Sequence, residues 1–155
     1  MSDFRILDLT AGNRAIWFDR TYRDAIFVDI RPEVLPDIVA DTCALPAQLG
    51  DDFDLVVFDP PHENYGANGF FAKNYGHFTL AQIRQTIIGT AKEAHRVTRR
   101  DALMAFKWSS HAWKLQTALD LLKPYWEPLF GHGVTPATKR ARMTSWVMLR
   151  RMSGT

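Results

Sequence analysis

Four aspartates stand where an apolar strand pattern gives way to a turn pattern: Asp8, Asp29, Asp41 and Asp59. The last opens the run Asp59-Pro60-Pro61-His62, directly after the apolar, β-branched stretch FDLVVF. The prolines remove ladder donors and fix φ, so sheet pairing stops abruptly there. The Asp59 carboxylate and the Pro60 carbonyl are two acceptors on a rigid support. Together they can hold both N–H groups of an amine conjugated with a ring, pyramidalise its nitrogen and aim the lone pair. Asp59 need not be a strong base, since the ammonium product is acidic. His62 can stack on an exposed base or act as a general base.

The other three acids read as a small-molecule site. The first strand runs into DLTAGNR, where Gly12 lets the backbone turn and approach a ligand closely. One glycine is not the Gly-x-Gly-x-x-Gly of dinucleotide binders, and the same residues suit a plain β-turn-α connection. Asp29 follows Asp8 at close to the interval, about 20 residues, at which an acid meets ribose hydroxyls in Rossmann-like sites. Asp41 and Thr42 can bond an adenine edge or cap the next helix. Each acid alone suits a structural role; four at successive strand ends suit a nucleoside. Without a phosphate-cradling glycine loop and its lysine, a nucleoside triphosphate is not expected. Carboxylates favour a cationic or zwitterionic nucleoside, and S-adenosylmethionine fits: ribose on Asp29, adenine near Ile30 and Asp41, ammonium near Asp8. Thr10, Gly12 and Thr42 complete the candidate cofactor-binding set.

These residues need a scaffold that brings strand ends together. Strand patterns fall at 4–9, 25–30, 38–41, 53–58 and 102–108, and helical patterns at 13–19, at 79–94 and after Ser110. Shorter turn-helix stretches cover 31–38 and 42–49. Thr79 and Gln82 have capping-box spacing, and Leu80, Ile83, Ile87, Ala91 and Ala94 share one helical face. Ser110 is placed to cap a helix burying Ala112, Leu115, Leu119 and Leu122 that ends before Pro124. Alternating β and α elements predict an α/β fold, a mostly parallel sheet with helices on both faces. WEPLFGH and TSWVMLRR predict a closing antiparallel hairpin. In such a sheet, ligands bind at the carboxyl ends of the strands.

The pattern DLTAG, two later aspartates and DPPH resembles the class I S-adenosylmethionine-dependent methyltransferases, in the branch with an Asp-Pro-Pro-aromatic motif. With WFD, FKW, FGH and K-R-A-R…W, the chain also resembles small stand-alone methyltransferases of phages and prokaryotes. The resemblance covers nearly the whole chain and implies a Rossmann-like seven-stranded sheet of order 3-2-1-4-5-7-6, strand seven antiparallel. It implies catalytic roles for Asp59, Pro60, Pro61 and His62. The chain departs from the family in lacking a second glycine near Asn13 and Arg14, in His62 replacing an aromatic, and in having no separate target-recognition domain. A single domain over 1–155 is expected.

The favoured reaction is methylation of an exocyclic amine of a nucleic-acid base, adenine N6 first. A protein amide or small molecule as acceptor, or a non-catalytic cofactor-binding partner subunit, are the alternatives. The intact Asp-Pro-Pro argues against the last. A net charge of +2 does not by itself indicate a polyanion partner. The basic distribution is more informative: Lys139, Arg140, Arg142, Arg150 and Arg151 lie together without an acid, either a solvated edge or a phosphate-facing patch. Lys107, ending the fifth strand, and His132, Lys139, Arg140 and Arg142, after the sixth, are expected near the substrate opening. DNA or RNA is the expected partner, with a homodimer or partner subunit compatible. The 62–78 loop, rich in glycine and aromatics, reads as a substrate grip or as a packed hydrophobic flap. Cys43 is the only cysteine, so an intrachain disulfide and a thiolate metal cluster are excluded, and no metal site is expected. Without a signal-type segment or an apolar run of about 20 residues, no membrane association and a cytoplasmic location are expected.

Overall fold

The run FDLVVF forms β4 (Phe53–Phe58), the central strand of a seven-stranded sheet. Phe53, Val56 and Phe58 are fully buried in it, as a strand covered on its inner face requires. This is a computed structural model, describing residues 3–61, 78–134 and 143–154. The remaining strands are β1 (Ile6–Asp8), β2 (Ala25–Asp29), β3 (Ile38–Val39), β5 (Thr98–Ser109), β6 (Trp126–Val134) and β7 (Thr144–Arg151). Their order is β3-β2-β1-β4-β5-β7-β6. Pairings among β1 to β5 are parallel, whereas β7 is antiparallel to both β5 and β6. The carboxyl ends of β1, β2, β3, β4, β5 and β6 therefore share one edge. The expected order and closing hairpin are both present.

Helix α1 (Leu80–Val97) begins at Thr79, whose Oγ1 accepts from the Gln82 N–H at 3.2 Å while Gln82 Oε1 accepts from the Thr79 N–H at 2.8 Å. This reciprocal cap contributes about 1 kcal/mol. Ile83, Ile87, Ala91 and Ala94 are fully buried, and each isoleucine contributes roughly 1.5–3 kcal/mol by leaving water. Leu80, expected on that face, is exposed, while Thr90 and Val97 join it instead. Helix α2 (Leu115–Leu122) packs beside α1 and buries Ala118, Leu121 and Leu122.

The start of α2 corrects one expectation: its N-cap position is Lys114, and Ser110 does not cap it. The Trp108 indole donates to the Trp113 carbonyl at 2.9 Å and their rings stack. That bond commits residues 110–114 to a connection before a helix can start. A second correction concerns 13–19, expected as helix. Gly12 (φ 50) and Arg14 (φ 55) are left-handed, and the segment is a chain of i→i+3 turns. A left-handed residue at Arg14 interrupts an α-helix at its first turn. In consequence, both described α-helices cover one face of the sheet. The opposite face is closed beside β1 and β2 by Trp17, packed with Ile6, Phe27 and Val57.

Candidate active site

Strand pairing places the first acid at the centre. Asp8 ends β1 between Phe27 of β2 and Val57 of β4, and it is 1% exposed. Its Oδ1 accepts from the Thr10 main-chain N–H at 3.1 Å and its Oδ2 from the Trp17 indole at 2.7 Å. Burial pushes its pKa up to about 6; the Trp17 and Thr10 hydrogen bonds pull it back, and the charges of Asp59 and Asp29 raise it further. A desolvated carboxylate flanked by two more is a place that favours a cation.

Asp29 ends β2 and is also buried. Its Oδ2 accepts from the Gly12 N–H at 2.8 Å, which fixes the glycine turn against the second strand. Its Oδ1 accepts from the Arg31 main-chain N–H and Nε at 2.9 and 3.0 Å, and Arg31 Nη2 reaches Oδ2 at 3.2 Å. Burial pushes this carboxyl up, but the Arg31 guanidinium, with the Arg31 and Gly12 N–H groups, holds it below the usual range. A diol donating to Asp29 therefore has to displace the guanidinium arm, while the two main-chain donors can stay. Ile30, next in the chain, is 62% exposed and offers an apolar face beside this acid.

Asp59 emerges from β4 at the same edge. Its main-chain N–H donates to Thr10 Oγ1 at 2.8 Å, so the turn after β1 and the Asp-Pro-Pro run are tied together. Its Oδ2 accepts from Lys107 Nζ at 2.7 Å, reaching across from β5. Pro60 is buried and Pro61 half-buried. The Lys107 ammonium also lies 5.9 Å from the centroid of the Trp146 ring, within cation–π range. Register pairs Lys107 with Trp146 and Trp146 with His132, so the three side chains form a row across β5, β7 and β6. Asp8, Asp29, Asp59, Thr10, Gly12 and Lys107 are thus one connected cluster, with His132 at its far end.

The third strand end is built differently. Asp41 Oδ1 accepts from the Cys43 N–H at 2.8 Å, capping a turn, and Thr42 Oγ1 lies 2.7 Å from Thr90 Oγ1 on α1. The Thr42 hydroxyl thus faces the helix. His62, Lys139, Arg140 and Arg142, and the loop residues before Phe78, lie outside the described residues. Among the described residues no group of three or more His, Cys, Asp or Glu is arranged to hold a metal ion. Nor does any described helix have the length and apolarity to cross a membrane.

No protein-family model and no curated protein matches the sequence. Solved structures do match in fold. The N-methyltransferase NodS from Bradyrhizobium japonicum WM9, in complex with S-adenosyl-l-homocysteine, superposes with a TM-score of 0.66 at 11% identity, over 97% of this chain and 79% of that one. The chain has the class I methyltransferase fold. A 16S rRNA (adenine(1408)-N(1))-methyltransferase (W203A mutant) from Catenulisporales acidiphilia gives 0.60 at 13% identity, over 96% and 86% of the two chains. The [4+2]-cyclase SpnF gives 0.65 at 11%, over 97% and 76%. Likeness at this identity shows the fold, and the residues at the strand ends must decide the chemistry.

Three residues of the candidate site are not marked as such by type and spacing: Trp17 lies in the 13–19 helical pattern, Arg31 in the 31–38 turn-helix stretch and Trp146 in the TSWVMLRR strand. Arg31 had a signal: a guanidinium two residues after a strand-end acid can fold back onto it. Trp17 and Trp146 fall in the WFD and K-R-A-R…W stretches that carry the resemblance, but their contacts had no signal, because turn geometry and strand register set their partners.

Proposed function

We propose that this chain is an S-adenosylmethionine-dependent methyltransferase acting on an exocyclic amine of a nucleic-acid base, with adenine N6 as the favoured target. The observation that carries the reading is the link from Asp8 through Thr10 to Asp59. It sets a cation-favouring carboxylate and an amine-accepting carboxylate on adjacent strand ends. The residues fit the cofactor: Asp8 suits its ammonium, Asp29 its ribose once the Arg31 arm moves, and Ile30 one face of its adenine. Bound there, the cofactor supplies an electrophilic methyl group on a sulfonium. Asp59 and the Pro60 carbonyl accept the two amine N–H groups, which orients the nitrogen lone pair. Pro60 and Pro61 keep that carbonyl in place. His62 stacks on the base in the position where the branch usually has an aromatic ring.

An N-methyltransferase and an rRNA adenine methyltransferase among the fold neighbours support a nitrogen acceptor, the latter acting at ring N1 rather than at an exocyclic amine. The test is transfer of labelled methyl to purified DNA, RNA and protein, followed by mass spectrometry of the nucleosides. N6-methyladenine is expected, with transfer reduced at least about 100-fold by Asp59→Ala, as for loss of a group that positions the reacting atoms. Label appearing only in protein or in small metabolites would move the acceptor to those classes. Transfer insensitive to Asp59→Ala would refute the role of the motif.

A further inference from the structure

Lys107 and Thr10 meet Asp59 from opposite sides. Lys107 Nζ holds Oδ2 at 2.7 Å from β5, and Thr10 Oγ1 accepts the Asp59 main-chain N–H at 2.8 Å from the turn after β1. The Lys107–Asp59 pair is sheltered, with side chains 25% and 22% exposed. Lys107 is in turn steadied over the Trp146 ring at 5.9 Å. For Lys107 to serve a substrate phosphate, it would have to leave Asp59. That would strip a carboxylate of its counter-ion beside Asp8, whose own charge repels it. The geometry therefore opposes the expected substrate-binding role for this lysine.

We propose that Lys107 and Thr10 are positioning residues that together preset the orientation of Asp59, rather than ligands of substrate and cofactor. A carboxylate on a loop after a strand can rotate about both χ angles. The charge-assisted bond from Lys107 to one oxygen limits both rotations, and the Thr10 hydroxyl fixes the main chain from which they start. Lys107 thereby selects which Asp59 oxygen faces an incoming amine. Thr10 makes that orientation depend on the same turn that bonds Asp8, so the acceptor for the amine and the acid that suits the cofactor's ammonium move as one unit. This inference rests on the proposed methyl transfer and assigns the roles of two residues within it.

The experiment compares Lys107→Met, Lys107→Arg, Thr10→Val and Thr10→Ser with the wild type in steady-state methyl transfer. Lys107→Met and Thr10→Val are each expected to lower kcat roughly 10- to 100-fold, the effect of misplacing a reacting group by about 1 Å. The acceptor KM should stay within about twofold. Thr10→Ser, which keeps the hydroxyl, and Lys107→Arg, which keeps a charged donor, should recover most of the rate. The dependence of acceptor binding on salt should not change in Lys107→Met. A raised KM with a salt slope smaller by about one would make Lys107 a phosphate contact and overturn the proposal. So would an unchanged kcat in both disruptive variants. Crystal structures of the variants give a reading independent of turnover: Asp59 should lose its single side-chain orientation in Lys107→Met. Retention of that orientation refutes the positioning role. A wild-type protein that methylates no acceptor refutes the proposed activity, and the crystallographic arm then still decides whether the two residues hold Asp59.

Discussion

Two acids on neighbouring strands illustrate how far surroundings, rather than residue type, set chemistry. Asp29 has a guanidinium and main-chain donors against it and is held below the usual carboxylate range, whereas Asp8 is pushed up to about 6, chiefly by burial. Between its ordinary value of 3.8 and about 6, folded Asp8 keeps a proton that the unfolded chain gives up. Stability of the unliganded protein therefore falls as pH rises through that window, and the ionised acid costs about 3 kcal/mol. A cation beside Asp8 reverses the preference. If the cofactor's ammonium sits there, its affinity should rise close to tenfold per pH unit below about pH 5, about fivefold from about pH 5 to 6, and level off above about pH 7. Calorimetry in buffers of different ionisation heat should show proton release on binding near about pH 5.5. Asp8→Asn should remove this pH dependence and weaken binding roughly 10- to 100-fold. The unliganded variant should be about 1–3 kcal/mol more stable than wild type at about pH 7.5 by chemical unfolding. Binding that is flat with pH in the wild type would place the ammonium elsewhere.

At the scale of elements, legibility in the sequence followed whether a signal was local. The β4 run, the Thr79 capping box and the closing hairpin each carry their cause within a few residues, and each formed as expected. The 13–19 helix did not, because left-handed Gly12 and Arg14 place the Trp17 indole on Asp8. That is a tertiary demand which apolar spacing cannot express. Of the candidate site, Asp8, Asp29 and Asp59 were readable from types and positions, whereas Asp41 caps a turn and the Lys107–Asp59 pair needed coordinates. Gly89 shows the same division. Within α1 a glycine costs about 0.5–1 kcal/mol relative to alanine, so sequence alone recommends Gly89→Ala. In the structure an added Cβ would stand 2.7 Å from Cys43 Sγ and 3.0 Å from Cys43 Cβ. Gly89→Ala should therefore destabilise the protein by about 1–3 kcal/mol, read as a lower thermal midpoint. Trimming Cys43 in a Cys43→Ala/Gly89→Ala double variant should recover part of the loss. A raised midpoint in the single variant would show that the turn after β3 yields to α1.

For the molecule as a whole, a net charge of +2 provides little general attraction to a polyanion, so any nucleic-acid affinity must come from local charge. The carboxyl-terminal basic residues are not equivalent in this respect. Arg150 Nε donates to Glu127 Oε1 at 2.8 Å, and Arg151 Nε donates to the His95 carbonyl at 3.1 Å. Both are on β7 and serve the sheet edge and its contact with α1. Lys107 is engaged by Asp59. Phosphate contact would then fall to Lys139, Arg140 and Arg142, in the segment leading from β6 to β7. This assigns a quantitative expectation to the charge pattern. Binding of the wild type to single-stranded nucleic acid should weaken with salt along a linear log–log plot, with about 0.7 of slope for each phosphate neutralised. Lys139→Glu with Arg140→Glu should reduce that slope by about 1–1.5 and weaken binding at low salt, while cofactor affinity and the thermal midpoint stay unchanged. Reversal of Arg150 to Glu should instead lower stability slightly and leave the slope alone, since it removes a surface pair of at most about 1 kcal/mol. If the double reversal leaves the salt slope intact, the basic run is a solvated edge. The acceptor is then to be sought among small molecules or proteins that need no polyanion track.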